Sequence, residues 1–233
     1  IFSNFDFHNK SALTVLASGD QAFHFYDNNI GSLDFFDFNK LTIYYFYLRI
    51  WNIEKNNEFY LPPYFFAEYI NDLINNVNPK TDYEEKALLY WRLLLEKFEN
   101  NEPKLHRFFR EGFTSHKNKI KDLERIKKAI QNRDFNFNIF DISHDISINK
   151  MYDIIYASNI FDWLDECDYE KYADNLYNLL NDNGIIICSD LSKRYGASIE
   201  EKRLYNEKFD YHQIPISGDN YLNHISGYYF KKR

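Results

Sequence analysis

Short apolar runs that stop at a polar or acidic step recur along this chain. Residues 12–17 read Ala-Leu-Thr-Val-Leu-Ala and halt at Ser18-Gly19-Asp20. A run that is apolar at every position, without alternation, suits a strand buried on both faces. A helical stretch carrying Ala22, Phe23, Phe25 and Tyr26 follows. It ends at Asn28-Asn29-Ile30-Gly31, where Gly31 suits a left-handed cap. Residues 32–36 give a second strand that stops at Asp37, and Leu41, Tyr44, Tyr45, Leu48 and Trp51 then recur at helical spacing over 40–55. Strand, turn, helix, strand and helix with short links point to a parallel sheet, because parallel neighbours need a crossover between them.

The alternation breaks at residue 56. Residues 56–133 show helical periodicity and no strand pattern, with stripes Ala87, Leu88, Trp91, Leu94, Leu95, Phe98 and Ile120, Leu123, Ile126, Ile130. It resumes with strands at 135–140, 151–157 and 185–189, and a helix at 168–180 capped by Asn181-Asp182-Asn183-Gly184. Weak strands near 209–216 and 223–230 suit a closing hairpin. The expected fold is α/β: a mostly parallel seven-stranded sheet with helices on both faces, Rossmann-like. Residues 1–55 and 134–233 form its two halves, and 56–133 form a helical insertion.

Composition narrows the function classes. Aromatics make up 19% of the 233 residues and glycines number only 7, so the core is built from rings and single aromatics are weak signals. A net charge of −7 disfavours general nucleic-acid binding, and no DNA partner is expected. No apolar run reaches membrane-spanning length. Cys167 and Cys188 form no CxxC, which suits a reducing, cytoplasmic setting. The seven histidines lack ligand spacing, so no metal site is expected. A chain that begins at Ile1 leaves room for a preceding segment. Residues 104–133 carry ten basic and three acidic side chains. That excess suits contact with an anionic membrane surface, or a solvated helix face that pairs with the acidic body.

In an open α/β sheet the ligand lies outside the carboxyl ends of the strands. Those ends read Ala17-Ser18-Gly19-Asp20, Asp37-Phe38-Asn39, Asp141-Ile142, Ser158-Asn159-Ile160-Phe161-Asp162-Trp163 and Ser189-Asp190. A glycine after the first strand lets a ligand approach the backbone. Asp37 suits a pair of ribose hydroxyls and Asp141 an adenine amino group, with Phe38 and Ile142 on the purine faces. A dinucleotide site wants a Gly-x-Gly-x-x-Gly turn, and the carboxylate of Asp20 repels pyrophosphate. The same carboxylate suits the cationic amino-acid part of S-adenosylmethionine.

The segments Leu13–Asp20, Phe36–Asn39 and Tyr156–Trp163 resemble the class I S-adenosylmethionine-dependent methyltransferase fold. Within it they are similar to the branch of 3-amino-3-carboxypropyl transferases of betaine-lipid synthesis. The resemblance covers about 1–55 and 135–190. This first loop carries less glycine than is usual in that family. The resemblance implies that Ser18, Gly19 and Asp20 line the methionine part, Asp37 the ribose, and Asp141 and Ile142 the adenine, with Ala17, Phe38 and Asn39 also among the cofactor contacts. It sets Ser158, Asn159, Asp162 and Trp163 toward the sulfonium and acceptor. Asp162, Asn159 and Tyr156 are the catalytic candidates, with Asp190 and His144 as further bases. The function expected is an S-adenosylmethionine-dependent transferase acting on a small-molecule or lipid acceptor. Methyl transfer leads, 3-amino-3-carboxypropyl transfer is the alternative, and a non-catalytic scaffold is a third reading.

Overall fold

The computed structural model describes residues 2–58, 61, 67–98, 120–142, 144, 146, 148–158, 160, 169–190, 208–214 and 226–233. After a short 3-10 helix at Phe2–Asn4, the elements in chain order begin with β1 (Ser11–Val15), α1 (Asp20–Asp27), β2 (Ser32–Asp37) and α2 (Leu41–Asn56). Helices α3 (Ala67–Ile74), α4 (Asp82–Phe98) and α5 (Leu123–Ile130) come next. The chain then returns to β3 (Asn136–Ile139), β4 (Tyr152–Ser158), α6 (Tyr169–Asn178), β5 (Leu180–Asp190), β6 (Phe209–Ile214) and β7 (Ser226–Lys232). The seven strands form one sheet in the order β3-β2-β1-β4-β5-β7-β6. Pairs β1–β2, β1–β4 and β4–β5 are parallel, whereas β5–β7 and β6–β7 are antiparallel. This is the expected mostly parallel sheet with a closing hairpin.

The chain divides into two compact units. Ile1–Val15, Asn28–Phe38 and Asn138–Arg233 make the first, and Leu16–Asp27 with Asn39–Phe137 make the second. Helices α1 and α2 therefore group with the 56–133 insertion and not with the strands that precede them.

In the first unit the central strands are buried almost end to end, which is why they read as unbroken apolar runs. Two buried carboxylates break that rule in β2, at Asp34 and Asp37. Asp34 is internally satisfied, accepting from the Tyr152 hydroxyl at 2.7 Å and from Lys150 Nζ at 2.8 Å. Burial and the Asp34 carboxylate push the Tyr152 phenol far above its ordinary range. Asp153 ties β1 to the start of β5: it accepts from the Ser11 N–H at 2.8 Å, from Ser11 Oγ at 3.0 Å and from Asn181 Nδ2 at 3.0 Å. Burial raises its pKa, but the hydrogen bonds from Ser11 and Asn181 outweigh that and hold it below the ordinary value. A depressed folded pKa gives stability that is present above the unfolded carboxyl pKa of about 4 and lost as pH falls through the folded value. The urea midpoint is expected to drop over that acid window, and Asp153→Asn is expected to flatten the drop. An unchanged acid limb would remove Asp153 from the pH response.

Two local expectations are corrected. The left-handed residue after α1 is Asn29 (φ 61), not Gly31. Gly31 is needed for space, since a Cβ there would sit 2.9 Å from the backbone of Asn9. Residues 181–184 do not cap a helix: α6 stops at Asn178, and Leu180 already pairs with Tyr152. A register shift between Tyr152 and Ile154 absorbs the polar stretch, with Asn183 left-handed at φ 63.

In the second unit α2 is buried from Tyr45 through Ile53 on every side, so it is the central helix of that unit. Polar tips satisfy one another around it: Trp91 Nε1–H donates to the Tyr44 carbonyl at 2.9 Å and Trp51 Nε1–H to Glu84 Oε1 at 2.7 Å. Arg133, on the far side of α5, is buried and donates to Glu84 at 3.3 Å and to Glu54 at 2.6 Å. Buried Asp27 at the end of α1 accepts from the Lys121 and Asp122 N–H groups and so anchors the approach to α5.

Candidate functional site

The strand order reverses between β1 and β4, which is where an open α/β sheet binds its ligand. Val15 is in register with Phe36, and Thr14 with both Phe35 and Tyr156, so β2, β1 and β4 end side by side. Asp37 is the last residue of β2 and is 6% exposed. Its carbonyl accepts the Phe140 N–H at 3.2 Å, and the Phe140 ring stacks on Phe36 at 5.6 Å. Asp141 follows directly. The structure thus brings Asp37 and Asp141 to one end of the sheet.

Around them the same unit supplies two contrasting apolar groups. Ile142 is buried, while Phe38 is 76% exposed. A phenyl ring held that far into solvent, next to a buried carboxylate, is a surface of the type that stacks on a flat ligand. The Asp141–His144 turn is held from α6: Asn175 Nδ2 donates to the Ile142 and His144 carbonyls at 2.7 Å each. His144 Nδ1 lies 3.5 Å from Asp141 Oδ2. Nothing in the sequence around Asn175 marked it, because an asparagine on a helix has no local signature of such a bond.

Ser158 ends β4 in the left-handed region at φ 54, beside a register shift between Tyr156 and Ser158. Such a conformation costs an L residue on the order of 1–2 kcal/mol and concentrates at functional sites. Tyr156, a catalytic candidate, is buried and its ring stacks on Phe2 at 5.4 Å. Asn159, Phe161, Asp162 and Trp163 lie outside the described residues. Asp190 ends β5 opposite Ser226.

In the second unit the turn after β1 is tight. The Gly19 N–H donates to the Leu16 carbonyl at 2.6 Å, with Ala17 at φ 42 and Gly19 at φ 79. Glycine is required at 19 for two reasons: the left-handed backbone, and the Phe46 ring, which would lie 2.8 Å from an added Cβ. The space a side chain at 19 would occupy is therefore filled by the Phe46 ring. The Asp20 carboxylate is buried and already partnered. Oδ1 accepts from Arg49 at 2.6 Å and Oδ2 from Ser18 Oγ at 2.8 Å. The charge argument against pyrophosphate at this turn consequently falls, and only the missing second and third glycines still argue against a dinucleotide. Arg49 was not anticipated. Its one available signal was a lone cation among the aromatic and aliphatic residues of Ile43–Trp51. Asn39 starts α2, its Oδ1 accepting the Leu41 N–H at 3.0 Å.

Of the basic segment 104–133, residues 104–119 lie outside the described residues. Over 120–133 most cations face carboxylates of the same unit: Arg125 pairs with Asp122, Lys127 with Glu124, and Arg133 with Glu54 and Glu84. Two of these pairs lie within the segment itself, and Arg133 reaches carboxylates outside it. Among the described residues no helix is long and apolar enough to cross a membrane, and no group of three His, Cys, Asp or Glu residues could hold a metal ion.

No protein-family model matches this sequence, and no curated protein does. Solved structures do resemble it. The glycopeptide N-methyltransferase MtfA with S-adenosyl-L-homocysteine bound superposes with a TM-score of 0.52 at 9% identity, over 97% of this chain and 84% of that one. The N-methyltransferase NodS from Bradyrhizobium japonicum WM9, also with S-adenosyl-L-homocysteine, gives 0.47 at 11% identity, over 97% and 79%. The fold is the Rossmann-like fold of the S-adenosylmethionine-dependent methyltransferases.

Proposed function

We propose that this chain binds S-adenosylmethionine and transfers a group from it to an acceptor, with methyl transfer as the leading reaction. The observation that carries the reading is the buried Asp37 and the neighbouring Asp141 at one sheet end, with the Phe38 ring exposed beside them. Asp37 would accept both ribose hydroxyls, Asp141 the adenine amino group, and Phe38 and Ile142 would bracket the purine. The bulged, left-handed Ser158 supports the same end of the sheet as the reacting end. Ala17, Ser18 and Gly19 are assigned to the methionine part by the family resemblance. Asp20 is assigned to holding that turn, since Arg49 and Ser18 occupy its carboxylate. Asn159, Asp162 and Trp163 keep their resemblance-based roles toward the sulfonium and acceptor, and Asn39 its role beside the ribose.

When bound, the sulfonium supplies an activated carbon and a neutral thioether leaving group, so alignment of the acceptor matters more than a strong base. Tyr156, whose ring stacks on Phe2, keeps its place among the catalytic candidates. Transfer of the 3-amino-3-carboxypropyl group in place of methyl is the finer reading. The likeness of Leu13–Asp20, Phe36–Asn39 and above all Ser158–Trp163 within Tyr156–Trp163 to the betaine-lipid branch favours it. Mass spectrometry of products separates the two: S-adenosylhomocysteine marks methylation, 5′-methylthioadenosine the other transfer. A small-molecule or lipid acceptor is proposed.

Calorimetry with S-adenosylhomocysteine tests the binding claim. Asp37→Ala is expected to weaken affinity by more than about 10-fold, because ribose hydroxyls would be left unpaired in a desolvated site. Wild-type affinity in that variant would refute the ribose assignment. A wild-type chain with no binding at millimolar ligand would favour the scaffold reading.

A further inference from the structure

The turn after β1 poses a physical problem. It is held in a conformation that favours glycine at two positions, yet only Gly19 is glycine and position 17 is alanine. A turn of that kind persists only where its surroundings over-determine it. The surroundings here converge on one side chain. Arg49, fully buried in α2, sends a single guanidinium nitrogen, Nη1, to the Ser18 carbonyl at 2.8 Å and to Asp20 Oδ1 at 2.6 Å. Its guanidinium carbon lies 4.9 Å from the centroid of the Phe23 ring, within cation–π range. Ser18 Oγ closes the loop onto Asp20 Oδ2. The backbone at 18 and the side chain at 20 are thus tied to one point on a rigid helix.

We infer that Arg49 is a positioning residue: it sets the shape of the Ala17–Asp20 turn that a glycine-rich loop sets elsewhere, and S-adenosyl ligand affinity depends on it. The inference rests on the proposed S-adenosylmethionine binding at this turn. It also assigns Asp20 a partner role to Arg49 in place of contact with the ligand's ammonium group. A buried cation–carboxylate pair adds little net stability over an apolar pair of the same shape, so its retention asks for a geometric reason.

The test uses the full chain, S-adenosylhomocysteine as the probe, calorimetric affinity, and urea unfolding of each variant to find a temperature at which it is folded. Arg49→Lys keeps the cation that Asp20 faces but not the planar guanidinium over Phe23, so it is expected to bind more weakly than wild type. Arg49→Met removes the donor but strands the Asp20 carboxylate, so the decisive variant is the double Asp20→Asn/Arg49→Met, which removes both charges at similar volume. It is expected to fold and to bind at least about 10-fold more weakly than wild type, because the Ser18 carbonyl is no longer held. Hydrogen exchange at the Ser18 and Gly19 amides should accelerate while β4 and β5 amides stay protected. A folded double variant with wild-type affinity overturns the inference. So does a double variant that cannot fold, since the pair would then be a fold determinant only. If the wild-type chain itself fails to bind the probe, the proposed function falls first and this inference falls with it.

Discussion

Arg133→Met is expected to lower the unfolding free energy by about 3–5 kcal/mol, the range measured when one partner of a buried ion pair is removed. The side chains of Arg133 and Glu84 are each 1% exposed. Without the guanidinium, the Glu84 carboxylate would keep the Trp51 indole N–H and the Lys80 N–H but no counter-charge. Urea unfolding of the single variants and of Arg133→Met/Glu84→Gln forms a cycle. The double variant should lose less than the sum of the singles, because it leaves no unpaired charge. Glu54→Gln should cost below about 1 kcal/mol, since that carboxylate is more than a third exposed and water can replace its partner. A harmless Arg133→Met would mean that water or a rearranged side chain reaches Glu84.

Gly19→Ala is the second large effect. An L residue at φ 79 costs about 1–2 kcal/mol, and pushing the Phe46 ring away from a Cβ at 2.8 Å adds about 1–3 kcal/mol. The expected loss is about 2–5 kcal/mol, read as a shift of the thermal or urea midpoint. Gly19→Ala/Phe46→Leu separates the two contributions. Relief of the ring contact should return the packing part and leave the backbone part. A Gly19→Ala protein as stable as wild type would mean that the turn adopts another conformation.

The sheet was legible because its central strands are buried on both faces and so carry an unbroken apolar code, as in Leu13–Leu16 and Ile185–Cys188. Boundaries were less legible where register, not composition, decides. Leu180–Gly184 reads as a helix cap and is an irregular strand start, since the shift at Tyr152/Ile154 is visible only once both strands are present. For the candidate site, the sequence marked which carboxylates end strands but not which are already partnered. Asp34, Asp20 and Asp27 look alike in a string of letters. Only packing shows that Asp34 belongs to Tyr152 and Lys150, Asp27 to the N–H groups before α5, and Asp20 to Arg49. Gly19 was marked, but the Phe46 ring that needs its missing side chain was not. The grouping of α1 and α2 with the helical insertion was equally hidden, because neighbours in sequence say nothing of which body a helix joins.

The placement of β7 between β5 and β6 has a consequence for biosynthesis. A ribosome delivers β6 before β7, so on emerging β6 has no ladder to join, and β5 shows a bare edge. Both stay open to misdirected pairing until residues 226–232 arrive and slot in antiparallel to each. Completion of the sheet therefore waits on β7, and any chain stalled or clipped before Ser226 is left with two sticky rims instead of a finished fold.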